Sequence, residues 1–346
     1  MLEAFVTGLR RVLAAPAILI GVYLATLGAA LPFALVLRAS LEDHLGASLM
    51  AEDAASGVNW DWWQEFSAQA TGLERTFTPA IIGFAAPLSN LSAFVDRTGQ
   101  PAAVIAAAAG YGALWLFLWG GILDRYARAR RLGAPAFFAA CAVFFFRFLR
   151  LAVMAGALYW VILGPAHEWL FETAYDRLTQ DVTVERVGFA WRLGLYAVLG
   201  LALAAVNLLV DYAKIRAVVE DRRSMIGALL AGARFIVRRP SGAAGLYLLD
   251  ALLLAGVLAL YAVGAPGAGG GGLAVWWTLL VGQAYVLARL FVRLTFAATQ
   301  ICFFQQHLAH AGYAGFSAPA WPESPAVEAI VRGARRTTAG ARATAE

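Results

Sequence analysis

Apolar residues gather in six long stretches, separated by polar loops whose charge sign alternates along the chain. A helix needs about 20 apolar residues at roughly 1.5 Å rise to cross a hydrocarbon core of about 30 Å. The stretches at about 12–37, 102–123, 136–163, 189–210, 243–264 and 273–303 all reach that length. Backbone polar groups in lipid must be satisfied within their own segment, so each stretch predicts a membrane-spanning helix. The pattern therefore predicts an all-α polytopic bundle of six transmembrane helices. A weaker run at 78–95 holds two prolines, and counting it as a span would invert every later loop against the charge rule. It reads as an interfacial or re-entrant segment.

Charge sets the threading. Arg10 and Arg11 precede the first span; Arg125, Arg128, Arg130 and Arg131 lie between the second and third; seven basic residues from Lys214 to Arg239 lie between the fourth and fifth. Under the positive-inside rule these segments face the cytoplasm. The opposite loops carry Glu42, Asp43, Glu52, Asp53, Asp61, Glu65, Glu74 and Asp96, then Glu168, Glu172, Asp176, Asp181 and Glu185. Both termini are thus expected inside, in a bacterial cytoplasmic (inner) membrane. The paired arginines before an apolar run also open secretory and twin-arginine signals. A run of about 26 residues followed by five further spans fits an uncleaved anchor better.

The outside loop 39–101 is expected to hold short helices, with Trp60, Trp62 and Trp63 at headgroup level. The connector 265–272 (APGAGGGG) reads as flexible. Residues 1–311 form the transmembrane domain, and 312–346, rich in Ala, Pro, Arg and Thr, read as a flexible cytoplasmic tail with a short helix near 327–336.

Composition agrees with a lipid environment: 61% of the 346 residues are hydrophobic and 14% charged, which excludes an ordinary globular surface. The basic excess consists of 26 arginines and one lysine, Lys214. Its placement at helix ends points to membrane orientation and away from nucleic acid. Cys141 and Cys302 lie in apolar runs, so no disulfide framework or zinc cluster is expected.

Two basic segments are too apolar to be simple connectors, and both are read as cytoplasmic interfacial elbow helices. In the second, Ser224 is a candidate N-cap, and Ile226, Leu229, Leu230, Ala233, Ile236 and Val237 recur at helical spacing before Arg234, Arg238, Arg239 and Pro240. Such a helix lies in the interface. Arg234, Arg238 and Arg239 then form a surface for anionic lipid or a partner, or the helix is only a structural elbow. The first segment echoes it: Tyr126, Ala127, Arg128 and Arg130 match Tyr212, Ala213, Lys214 and Arg216, while Phe144 and Arg147 match Phe235 and Arg238. This is either a parallel repeat of the transporter kind or chance similarity between positive-inside loops.

Ionisable residues inside spans cost about 2.5–3.5 kcal/mol each at the helix centre and so mark function or pairing. They are Arg147, Arg150, Arg192, Asp250, Arg289 and Arg293. Arg192 is near its helix start and can snorkel. Tyr285, Arg289, Arg293 and Gln300 fall near one stripe, and Asp250 lies at a depth where Arg293 could meet it, so an intramembrane ion pair is expected. The alternative is that Arg147, Arg150, Arg289 and Arg293 line a cavity for an anionic substrate or headgroup. Neither HExxH nor GxSxG nor a Walker loop occurs, and His307 and His310 read as interfacial. No catalytic residue, metal or cofactor is expected.

The RRSxxxALxxxxRFxxRRP elbow, the FFxxCxxFFFRFLRL segment and the LGxSLxAED run after the first span resemble a group of bacterial six-span inner-membrane proteins. More loosely, the elbow arrangement is similar to the membrane domains of some glycerophosphodiester phosphodiesterases and to Yip1-like proteins. The resemblance covers elbows and span order and implies architecture alone. The expected role is a non-enzymatic component of the membrane that binds a membrane-protein partner or organises the bilayer. The alternative is a transporter or lipid-handling protein for an anionic substrate, using the intramembrane arginines.

Overall fold

The computed structural model describes residues 1–46, 48–56, 59–77, 99, 102–129, 133–265, 272–309, 329 and 332. Every regular element among them is helical. In chain order they are α1 (Leu2–Leu13), α2 (Pro16–Leu45), α3 (Ala51–Ser56), α4 (Trp60–Gln69), a 3₁₀ turn (Glu74–Thr76), α5 (Ala102–Arg128) and α6 (Ala134–Val161). Two π-helical stretches (Ile162–Ala166 and Trp169–Ala174) carry α6 on to α7 (Tyr175–Thr179). Then come α8 (Glu185–Val219), α9 (Met225–Arg238), α10 (Pro240–Gly264) and α11 (Leu273–Ala309).

Six of these segments are long and apolar enough to cross a membrane, beginning at Pro16, Ala102, Ala134, Glu185, Pro240 and Leu273. The chain is an all-α, multi-pass membrane protein. Large aliphatic and aromatic side chains such as Trp160, Leu201, Leu260 and Val263 stand exposed on the spans, as lipid-facing residues must.

Three details differ from the sequence reading. The first apolar stretch is two helices, because Pro16 lacks an N–H and forces Ala15 out of helical geometry (φ −133°, ψ 54°), so α2 begins afresh at Pro16. Only the second basic segment forms a helix of its own. In the first, α5 ends at Arg128 and α6 begins at Ala134, with Pro135 in its first turn, where proline is tolerated. Finally, Trp62, expected at headgroup level, is buried within the outside loop's own packing. Asn59 caps α4 by accepting from the Trp62 amide (3.0 Å), the Trp62 indole donates to His44 Nδ1 (3.1 Å), Phe66 stacks on Trp62, and Phe77 packs edge-on against both rings. Trp60 is exposed and Trp63 half-buried. The segment 78–95, the glycine-rich connector at 266–271, Arg130, Arg131, His310 and nearly all of the tail lie outside the described residues.

The chain divides into two compact units. One comprises Met1–Arg11, Leu116–Tyr247 and the described chain from Ala297. In it α1 is clamped to α11: a Cβ on Gly8 would come within 2.6 Å of the Thr299 backbone, so only glycine allows this approach. Arg11 donates to the Tyr126 carbonyl (2.7 Å) and to Gln305 Oε1 (2.8 Å), and Gln305 Nε2 donates to the Ala127 carbonyl (2.7 Å). Arginine and glutamine thereby satisfy carbonyls at the C-terminal end of α5 that have no helical partner. Thr295 of the other unit and Thr299 and Gln300 of this one are buried on α11.

The second unit comprises Val12–Trp115 and Leu248–Phe296. Tyr23 donates to Gln283 Oε1 (2.8 Å), Thr26 meets Tyr111 (3.4 Å) and Tyr261 stacks on Tyr285 with ring centroids 4.0 Å apart. Polar side chains in a span are favourable only when they find one another.

Candidate functional site

The intramembrane arginines have distinct surroundings. Arg147 projects from α6 into the turn between α8 and α9, where it donates to Asp221 Oδ1 (2.6 Å) and the Arg222 carbonyl (3.3 Å) and lies over the Phe144 ring. Its side chain is 11% exposed, against 32% for Asp221. Asp221 holds a left-handed conformation (φ 47°), which Asp tolerates better than most residues. Arg147 is therefore neutralised and ties the elbow to α6. Arg150, one turn on, is exposed and donates to the Phe146 carbonyl.

Arg289, Arg293 and Asp250 belong to the second unit. Arg293 lies 3.6 Å above the Trp115 ring centre, and Arg289 lies 5.5 Å from that of Tyr285. Stacking on indole and phenol faces lets a guanidinium exist beside apolar surface. Asp250 is completely buried in α10. Arg192, on α8 of the first unit, lies over the Tyr175 ring.

The internal echo between the basic segments is partly structural. Tyr126 and Tyr212 are both fully buried, each near an acid–base pair on its own helix, Asp124 with Arg128 (2.6 Å) and Asp211 with Lys214 (2.6 Å). It fails at the arginines, since Arg147 is buried and paired while Arg238 is exposed.

The second elbow carries a cavity. Ser224 caps α9, its hydroxyl accepting from the Gly227 amide (3.2 Å) as its position predicts. The packed face of α9 is Met225, Ala228, Ala231, Gly232 and Phe235. Small residues let α9 approach α8 closely: a Cβ on Gly232 would sit 3.4 Å from the Ala213 nitrogen. Phe235 fills the remaining gap against Tyr212, Phe303 and Phe304. Ile226, Leu230 and Val237 consequently point outward and are exposed, Val237 by 77%.

Beside this outward stripe lies a pocket of about 490 Å³ lined by the arginines Arg216, Arg222, Arg234, Arg238 and Arg239, together with His307. Arg234, Arg238 and Arg239 are the three surface arginines expected from sequence, and all are exposed. Arg216, Arg222 and His307 were legible only as markers of orientation or of the interface. Nothing in the linear pattern says that the end of α11 returns to α9. Glu220 pairs with both Arg216 (3.3 Å) and Arg222, and Arg216 also lies over Phe304. The Arg216 Nε is buried without a hydrogen-bond partner among the described residues. His307 Nδ1 is 2.7 Å from the Phe303 carbonyl, which requires the proton on that nitrogen. Chemically the pocket can bind an anion; among the described residues no His, Cys, Asp and Glu cluster suits a metal. Comparison with protein-family models, curated proteins and solved structures finds no match for this chain.

Proposed function

We propose that this protein is a non-enzymatic integral component of a bacterial cytoplasmic membrane that engages anionic lipid or a membrane-protein partner through its basic elbow, with both termini inside. The observation that carries this reading is the outer face of α9, where exposed Ile226, Leu230 and Val237 form a stripe beside exposed Arg234, with exposed Arg238 and Arg239 at the C-terminal end of the helix. Apolar residues flanked by arginines suit a helix lying in the headgroup layer. Each arginine near an anionic leaflet contributes about 1 kcal/mol. The arginine bias of the inside loops supports the orientation.

The rival, a transporter with an anion cavity lined by Arg147, Arg150, Arg289 and Arg293, is weakened by Arg147, whose charge Asp221 already matches. Hydrogen exchange of the α9 amides tests the preferred reading in bilayers of phosphatidylcholine with a rising fraction of phosphatidylglycerol. Protection of α9 should grow with anionic lipid and lose that dependence in R234Q/R238Q/R239Q. Equal exchange in neutral and anionic bilayers refutes the lipid arm. A stoichiometric protein retained on purification from native membranes then favours the partner arm.

A further inference from the structure

We infer that the pocket between the end of α8, α9 and the end of α11 holds a lipid headgroup bearing a multiply charged phosphate, a phosphomonoester or diphosphate, with its acyl chains along Ile226, Leu230 and Val237. This rests on the membrane-surface reading of the elbow and names its ligand.

Charge is the first observation. Five arginines line the pocket, and Glu220 offsets one charge of the Arg216 and Arg222 pair. Arg234, Arg238 and Arg239 have no carboxylate partner among the described residues. A phosphodiester headgroup carries a single negative charge and leaves most of that surplus unmatched, whereas a phosphomonoester carries about −1.5 to −2 at neutral pH. Guanidinium forks bind such oxygens in pairs, with shorter and stronger hydrogen bonds than neutral donors make.

The buried donor is the second observation. Arg216 is held in place by Glu220 and the Phe304 ring, and its unsatisfied Nε lies in the pocket's lining residue. A buried N–H without an acceptor is destabilising, and a phosphate drawn in beside Arg216 would supply one. The volume of about 490 Å³ lies within the ~300–1,000 Å³ of small-ligand sites.

Placement selects a lipid over free phosphate. At about 100° per residue, Ile226, Val237 and Leu230 fall within about 40° of one another on α9, Arg234 lies about 40° beyond Leu230, and Arg238 lies between Arg234 and the packed side that Phe235 marks. Leu230 belongs at once to the exposed stripe and to the pocket wall. A headgroup among the arginines would thus have its chains delivered onto exposed aliphatic surface, while a soluble phosphate would leave that surface unused.

The test uses the full chain in nanodiscs, with phosphatidic acid and phosphatidylglycerol of identical chains as probes at matched bilayer charge. Retained lipid is read by native mass spectrometry. Phosphatidic acid should be enriched about tenfold over phosphatidylglycerol, and R234Q/R238Q, which alters exposed side chains only, should bring the two to parity. Ile226→Ser with Val237→Ser, neither of which lines the pocket, should weaken long-chain phosphatidic acid while leaving glycerol 3-phosphate binding unchanged. Equal retention of the two anionic lipids overturns the inference but leaves the surface reading standing. Retention no better than phosphatidylcholine overturns both. Full displacement of phosphatidic acid by millimolar inorganic phosphate, with the serine variants unaffected, overturns the lipid assignment.

Discussion

Replacing Asp221 by Asn removes the carboxylate that meets Arg147 while keeping a side chain that tolerates the left-handed backbone (φ 47°). The Arg147 to Asp221 distance is 2.6 Å, with side chains 11% and 32% exposed. Exposed ion pairs contribute about 0–1 kcal/mol and stranding one partner of a buried pair costs about 3–5 kcal/mol. A pair with one shielded and one partly wet member falls between, so D221N should cost about 2–3 kcal/mol. R147Q should cost a similar amount. The double variant should cost clearly less than the sum, since neither charge is then stranded. Asp221→Gly gives a further handle: it relieves about 1 kcal/mol of backbone strain but loses the charge, and should be less harmful than D221A. Reversible unfolding in mixed micelles, titrated with a denaturing detergent, measures all five. A D221N cost below about 0.5 kcal/mol, or additive single-variant costs, refutes the assignment of Arg147 as the anchor of the elbow.

Gly8→Ala should shift α1 off α11, because the new Cβ meets Thr299 backbone at 2.6 Å, and should cost about 1–3 kcal/mol in a thermal melt; an unchanged melt refutes the clamp. Cys141 and Cys302 are buried, so single cysteines introduced at Arg223 and Asp61 can be labelled against a low background. They should react from opposite faces of the membrane, and reaction from one face overturns the threading. The Glu74 carboxyl is held below the usual carboxylate range by a hydrogen bond from Ser40, then by the Thr71 amide. A lowered folded-state value means its contribution is present above the ordinary Glu range and lost as pH falls through the lowered one. The outside loop should therefore loosen only at acid pH, and Ser40→Ala should move that transition upward in tryptophan fluorescence. An Asp250 to Arg293 pair predicts that D250N and R293Q each cost about 3 kcal/mol and the double less than their sum; additive costs refute the pair.

Length and hydropathy alone determined the number of spans, because lipid leaves the backbone of a 20-residue apolar stretch no option but a helix. Local chemistry likewise determined the Ser224 cap and the restart at Pro16, although the latter requires attention to proline as well as hydropathy. Periodicity placed an amphipathic α9 correctly but could not say which face packs. In water Ile226, Leu230 and Val237 would turn inward; beside lipid they stay outside, and Ala228, Gly232 and Phe235 make the close approach to α8. The binding residues divide the same way. Arg234, Arg238 and Arg239 were visible as a cluster because they are neighbours on one helix. Arg216, Arg222 and His307 join them only through the turn at Glu220–Ser224 and the return of α11, which are tertiary events. The same turn supplies Asp221 to Arg147, converting a residue that the sequence offers as a substrate-binding charge into a structural tie. Sequence thus sets where charge must be compensated, and chain folding chooses the group that compensates it.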